Sequence, residues 1–214
     1  MTRLDYQESY VRRLPHIQPP GAVLFVTFRL AGSLPVHVVR QLEEETRKAQ
    51  AIILETAAEG DQERLLYEEQ RRAFGRFDRA LDRADTGPRW LQEAAVAQIV
   101  QESMHYLDGE KYDLDCYCLM SNHGHIVFTP LEAEDGQYIA LSRIMHSLKR
   151  HTAIEANRVL GRQGQFWQHE SYDHIVRDEA ELNRIRRYVL NNPVKAGLVE
   201  AAEDWPYSWA KWWL

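Results

Sequence analysis

The spacing of apolar residues along the chain predicts strands separated by helical regions. Residues 22–30 are rich in β-branched and aromatic side chains and follow a Pro-Pro-Gly turn, which is typical of a strand. Two further apolar runs flank Ser121 and Asn122, whose turn chemistry predicts a hairpin. The predicted strands are 22–30, 112–120, 123–129 and 172–177.

Apolar residues at helical spacing fill the stretches between these strands. Pro35 begins a long helical region that extends to about residue 106 and is broken near Gly60 and near Pro88, so it holds two or three helices. Further helices are predicted at 138–159 and 179–190, and the last must end near Pro193 because proline interrupts helical hydrogen bonding.

The order of these elements predicts the fold class. Apart from the helical region, it is β-α-β-β-α-β followed by a final helix, which is the ferredoxin-like order. We therefore expect an α+β fold with an antiparallel sheet and helices on one face. A length of 214 residues favours one domain over 1–214, with a helical insertion at about 36–106 in the first crossover.

Composition and charge narrow the function classes. Hydrophobic residues make up 44% and charged residues 27%, which is typical of a soluble globular protein. No long apolar run is present and the first residues lack a secretion signal, so we expect a cytoplasmic protein without a membrane partner. The net charge is −6, yet residues 140–199 hold ten Lys and Arg against six Asp and Glu, so this part of the chain can bind phosphate locally.

Two pairs of residues have the spacing of a chemical site. His123 and His125 are two apart on a predicted strand, so both imidazoles face the same side and can hold a divalent cation. Tyr188 and Asn192 are four apart and share a helix face. A tyrosine can be a covalent nucleophile and an amide oxygen can bind a hard cation, although ordinary packing roles fit both residues too.

Several segments, in this order along the chain, resemble the single-tyrosine HUH transposases, and within them the REP-associated, IS200-like branch. Residues 117–125 contain the paired histidines, 166–177 resemble the approach to the last strand, 188–198 the tyrosine helix, and 204–208 the end of the REP-associated members. The openings at 14–21 and 25–30 are also similar, whereas the helical insertion is not covered.

The resemblance implies a function and a site. The function is a metal-dependent transposase and endonuclease that cleaves and rejoins hairpin-flanked, REP-like single-stranded DNA through a 5′-phosphotyrosine. Tyr188 would be the nucleophile, with Mg²⁺ or Mn²⁺ held by His123, His125 and Asn192. The resemblance leaves monomer and dimer open and favours the monomer. Phosphate contacts are expected from Lys149, Arg150, Arg184, Arg187 and Lys195.

The chain departs from the family pattern at two positions. Gly124 stands where a bulky apolar residue is usual between the histidines, and Ser121 stands where proline is frequent. Because a glycine can loosen a strand, a protein that binds DNA hairpins without cutting them remains the alternative function. A rolling-circle nickase would share the same chemistry.

Other polar and aromatic residues carry open alternatives. Cys116 and Cys118 with the two histidines would suit a structural zinc site. His174 is either a site residue or a core histidine. The aromatic C-terminus, from Trp205 onwards, either docks on the body of the protein or stacks on bases.

Overall fold

The computed structural model describes residues 9–11, 15–17 and 19–213. The chain start, where the sequence predicts no secretion signal, and part of the 14–21 segment lie outside these ranges. The strands are β1 Ser9–Val11, β2 Pro15–Ile17, β3 Leu24–Arg29, β4 Tyr112–Leu119, β5 His123–Pro130, β6 Tyr172–Ile175 and β7 Ser208–Ala210. The α-helices are α1 Val36–Thr56, α2 Glu59–Arg83, α3 Ala94–Leu107, α4 Leu141–Val159, α5 Glu179–Leu190 and α6 Asn192–Lys195. Short 3₁₀ helices occupy Trp90–Gln92, Ala202–Asp204 and Lys211–Trp213.

The chain divides into two compact units. Residues 31–88 form a helical unit, in which α1 pairs with α2 and a small cluster of Leu34, Leu81 and Ala84 is buried. The described residues within 1–30 and 89–214 form the sheet unit. Helix α3 lies in the range predicted as an insertion, yet it packs in the core of the sheet unit. That the whole chain is one domain remains a prediction.

The sheet unit confirms the α+β class. Its sheet has the order β6-β3-β5-β4-β7, and the neighbouring strands pair antiparallel. Strand β7, which the sequence analysis did not predict, extends the ferredoxin-like order at one edge. Among the described residues, every helix is either too short or too polar to span a lipid bilayer.

The two faces of the sheet carry different residues. On β3 and β5, Val26, Phe28, Ile126 and Phe128 point into a core shared with α3 and α4. Because side chains alternate along a strand, the residues between them face the other side. That side is covered by α5. The crossover helices α3 and α4 therefore share one face of the sheet, as predicted, and α5 lies on the opposite face.

Gly124 lies on the core face, between the two histidines. A Cβ at this position would come within 2.7 Å of Leu119 Cδ2 and 2.9 Å of Phe28 Cζ. Both neighbours are 1% exposed, so they fill the space that a side chain at residue 124 would need. The bulk expected at this position is supplied from the adjacent strands, and β5 remains paired on both sides.

The C-terminal aromatic residues dock on the sheet unit. Trp209 on β7 stacks on Tyr117 with ring centroids 6.2 Å apart and meets His105 edge-on at 5.1 Å. The Trp205 indole N–H donates to the Leu119 carbonyl oxygen at 2.9 Å. Trp212 is more exposed, and the Arg186 guanidinium lies over its ring, with the guanidinium carbon 4.7 Å from the ring centroid. The docking alternative is therefore correct for Trp205 and Trp209.

Candidate metal and nucleophile site

The two histidines of β5 are brought together on the face opposite the core. Both are fully buried, and their Nε2 atoms are 3.2 Å apart. Two ligands of one octahedral cation, each about 2.1 Å from the metal and at right angles, are about 3 Å apart. The imidazole pair therefore has the separation of two neighbouring metal ligands.

The protonation of these imidazoles also suits a metal. Burial lowers the pKa of His123 to about 3. The pKa of His125 lies well below its usual 6.5 because its ring is buried, and the nearby His123 and Lys195 lower it further. Both rings are therefore neutral at pH 7, which is the form that binds metals.

Asn192 supplies a third polar group at the same place. It is the first residue of α6, is 2% exposed, and its Nδ2 lies 2.9 Å from His125 Nε2. Its Oδ1 is buried and has no hydrogen-bond partner within the described residues. Because the two ends of an amide are interchangeable by rotation, the unpartnered oxygen can face the imidazole pair. Two imidazoles and an amide oxygen are groups that can bind a divalent cation.

Tyr188 lies beside this group. It is half-buried on α5, and its ring centroid is 5.6 Å from that of His125 and 6.0 Å from that of Phe25. The Lys195 ammonium lies over the ring, 4.5 Å from its centroid. The structure thus brings together the residues predicted as the nucleophile and the metal ligands, and adds one of the predicted phosphate-binding cations.

Two further contacts hold α5 against the sheet. At its start, Asp178 caps the helix by accepting from the Glu181 N–H at 2.7 Å, and Glu181 Oε1 lies 3.3 Å from His174 Nε2. His174 and Glu181 are both buried. His174 therefore joins β6 to the first turn of the helix that carries Tyr188.

The second contact depends on an irregularity in β4. The register of β4 against β5 shifts between Leu114 and Cys116, which sets Asp115 apart from the regular ladder. Arg186 on α5 donates from Nε to Asp115 Oδ1 at 2.9 Å and from Nη2 to Oδ2 at 2.5 Å. Sequence analysis missed this pair, because the two residues are 71 positions apart and neither has a local signal.

The predicted phosphate-binding cations do not form one group. Lys195, Arg184 and Arg187 are exposed on α5 and α6, on the Tyr188 side of the sheet. Lys149 and Arg150 lie on α4, across the sheet. The Lys149 ammonium already donates to three acceptors just before β6, namely the carbonyls of Gln168 and His169 and the Ser171 hydroxyl.

The described residues do not form the zinc site of two cysteines and two histidines that the sequence left open. Cys116 and Cys118 are buried on β4, and burial raises the pKa of the Cys116 thiol well above its usual value. Within the described residues, neither cysteine belongs to a group of three or more potential ligands whose donor atoms lie within 4.8 Å of one another. The Cys118 thiol instead lies 3.8 Å from the Met120 sulfur.

Comparisons with known proteins match the part of the chain that contains this site. Residues 89–192, just under half of the chain, match the family described as "Transposase IS200 like". A curated relative from Haemophilus influenzae, "Putative REP-associated tyrosine transposase", is 31% identical over 96 residues, which are 42% of this chain and 54% of the relative. The chain therefore spans about half the length of that relative.

A solved structure is also similar to this chain. It is described as "Structure of the REP associates tyrosine transposase bound to a REP hairpin" and is 16% identical, with a TM-score of 0.48. The alignment covers 96% of this chain and 82% of the other. The family match contains His123, His125, Tyr188 and Asn192. The resemblance inferred from the sequence is thus confirmed for residues 89–192, which are similar to the IS200-like transposases.

Proposed function

We propose that this chain is a metal-dependent transposase and endonuclease that cleaves and rejoins single-stranded DNA through a 5′-phosphotyrosine. The observation that carries the proposal is the position of the Tyr188 ring, 5.6 Å from that of His125, beside a buried pair of neutral imidazoles. These residues come from a strand and a helix that are far apart in the sequence. Their convergence is expected of a catalytic site and is not required for packing alone.

The proposed reaction is a transesterification at phosphorus. The Tyr188 phenolic oxygen forms a bond to the phosphorus as the bond from phosphorus to the 3′ oxygen breaks. The phenol loses its proton to a base, and the departing 3′ oxygen takes up a proton to become a hydroxyl. One phosphoester replaces another, so the reverse attack by a 3′-hydroxyl rejoins DNA without a nucleotide cofactor.

The charges around Tyr188 support this role. The Lys195 ammonium, 4.5 Å from the ring centroid, favours the negative phenolate and attracts a phosphate. His123, His125 and Asn192 would hold Mg²⁺ or Mn²⁺. When bound, such a cation polarises the scissile phosphate and neutralises developing charge.

The substrate and partner are proposed from the relatives and from access to the site. A duplex backbone cannot easily enter a cleft between a strand and a helix, so we propose single-stranded DNA. The name of the H. influenzae relative associates it with REP elements, and we extend this to hairpin-flanked DNA as the substrate here. The proposed site residues all come from one chain, which favours a monomer, and DNA as a substrate favours the cytoplasm.

A covalent adduct tests the proposal. The protein is incubated with hairpin-tailed single-stranded DNA and Mn²⁺ and then denatured, and an adduct of protein and DNA is measured by electrophoresis. We expect an adduct with the unmodified chain and with the control Tyr106→Phe, since Tyr106 is a 77% exposed tyrosine on α3. Tyr188→Phe or removal of the metal with EDTA is expected to abolish it.

The same assay decides the alternative function. Binding of the hairpin without any adduct, at every metal concentration, would support a non-cleaving DNA-hairpin-binding protein. An adduct that persists in Tyr188→Phe would refute the assignment of the nucleophile.

A further inference from the structure

Each imidazole of the pair is held at the nitrogen that faces away from the shared site. Thr27 Oγ1 lies 2.8 Å from His125 Nδ1, and Asn122 Oδ1 lies 2.6 Å from His123 Nδ1. Thr27 and Asn122 are 6% and 3% exposed, so water cannot readily replace them. The two Nε2 atoms, in contrast, face each other and Asn192.

The backbone fixes both partners. Thr27 on β3 is the register partner of His125 on β5, so its hydroxyl is carried to the ring by sheet pairing. Asn122 comes directly before β5, and its backbone carbonyl oxygen accepts from the Leu30 N–H at 2.9 Å. Both side chains therefore project from backbone that is hydrogen-bonded to a neighbouring strand.

These contacts restrict the tautomer of His123 and are compatible with either tautomer of His125. The side-chain amide oxygen of Asn122 only accepts hydrogen bonds. Its contact with His123 therefore requires a proton on His123 Nδ1 and leaves the lone pair on Nε2. A hydroxyl can accept or donate, and His125 can bind a metal through Nε2 only if Thr27 accepts. Without these partners, each neutral ring could flip or carry its proton on Nε2.

We propose that Thr27 and Asn122 are positioning residues that hold both imidazoles in the Nδ1–H tautomer, with their Nε2 lone pairs directed at one divalent cation. The proposal rests on the function proposed above, because it assumes that the pair binds a metal. Partners of this kind typically change metal affinity by 10- to 100-fold when they are removed.

The tautomers are read directly from the metal-free protein. Long-range ¹H–¹⁵N NMR of the imidazole rings distinguishes a proton on Nδ1 from one on Nε2. We expect the Nδ1–H tautomer for His123, whose amide oxygen partner only accepts, and a loss of this preference in Asn122→Ala. A proton on Nε2 of His123 in the unmodified chain would overturn the proposal.

Metal affinity is measured on the same variants. We expect Thr27→Val and Asn122→Ala each to weaken Mn²⁺ binding, followed by calorimetry, by 10- to 100-fold. Thr27→Ser keeps the hydroxyl and is expected to stay within about threefold of the unmodified chain, as is the exposed control Tyr106→Phe. Thr27→Val has nearly the shape of threonine, and urea unfolding verifies that it is folded.

The outcomes separate the two proposals. If the unmodified chain binds Mn²⁺ and Thr27→Val binds it equally well, the positioning role is wrong while the proposed function stands. If the unmodified chain binds no Mn²⁺, the metal-dependent function fails together with the positioning role.

Discussion

Gly124 offers a sharp test of how closely the core is packed beneath the site. In Gly124→Ala, the added methyl would lie 2.7 Å from Leu119 Cδ2 and 2.9 Å from Phe28 Cζ, whereas carbon atoms normally pack 3.5–4.0 Å apart. Both neighbours must move by up to about 1 Å inside a buried core.

The expected magnitude follows from two opposing effects. Overpacking a core usually costs about 1–3 kcal/mol, and replacing glycine by alanine in a strand returns about 0.5–1 kcal/mol of backbone entropy. We therefore expect Gly124→Ala to lower the free energy of unfolding by about 0.5–2 kcal/mol. In the background of Leu119→Ala, only the close contact with Phe28 remains, so the same change should cost less than it does with Leu119 present.

The measurement is urea unfolding followed by circular dichroism, with metal removed by chelation. The matched control is Gly75→Ala in the middle of α2, where a Cβ would meet only the end of the flexible Arg79 side chain at 3.4 Å and where we expect a gain of about 0.5–1 kcal/mol. The packing account fails if Gly124→Ala is as stable as the unmodified chain. It also fails if the change has the same effect with Leu119 present and with Leu119→Ala.

Three further predictions concern charges and buried polar groups. In metal-free protein, the free energy of unfolding should fall below about pH 6.5, because the lowered pKa values of His123 and His125 let the unfolded chain take up protons first. Each histidine contributes up to about 1.4 kcal/mol per pH unit, and urea unfolding of their double replacement by glutamine should show a flatter slope. Asp115→Asn should lower the free energy of unfolding by about 1–3 kcal/mol and slow adduct formation, because it weakens the charge-assisted hydrogen bonds from Arg186. An unchanged free energy of unfolding together with an unchanged rate of adduct formation would contradict this. Trp167→Phe should also lower the free energy of unfolding in urea by about 1–3 kcal/mol, because the Trp167 indole N–H donates to the buried Thr152 hydroxyl at 2.8 Å. An unchanged free energy of unfolding would contradict this.

Local periodicity was sufficient to predict the frame of the sheet unit. The period of two in β5 placed His123 and His125 on one face before any tertiary contact was considered, and the helical spacing did the same for Tyr188 and Asn192. These predictions needed only the geometry of a strand and of a helix.

Features that depend on contacts between distant segments were not predictable in this way. Strand β7 is only three residues long and is recognisable by its pairing with β4, not by its own composition. The shift that sets Asp115 towards Arg186 leaves no signature in the sequence. The core role of α3 depends equally on tertiary packing, because its apolar stripe fits either an insertion or a crossover helix.

The structure holds the two histidine ligands and the nucleophile on different elements, and the consequence of this separation can be measured. His123 and His125 are held by strand pairing and by Thr27 and Asn122, whereas Tyr188 is carried by a helix that other contacts hold against the sheet. A change in those helix contacts, such as Asp115→Asn, should therefore slow adduct formation more than it weakens Mn²⁺ binding, because only the Asn192 ligand follows α5 along the chain. Thr27→Val should reduce both. If both variants reduced both properties in the same ratio, α5 and the sheet would have to act as one rigid unit at this site.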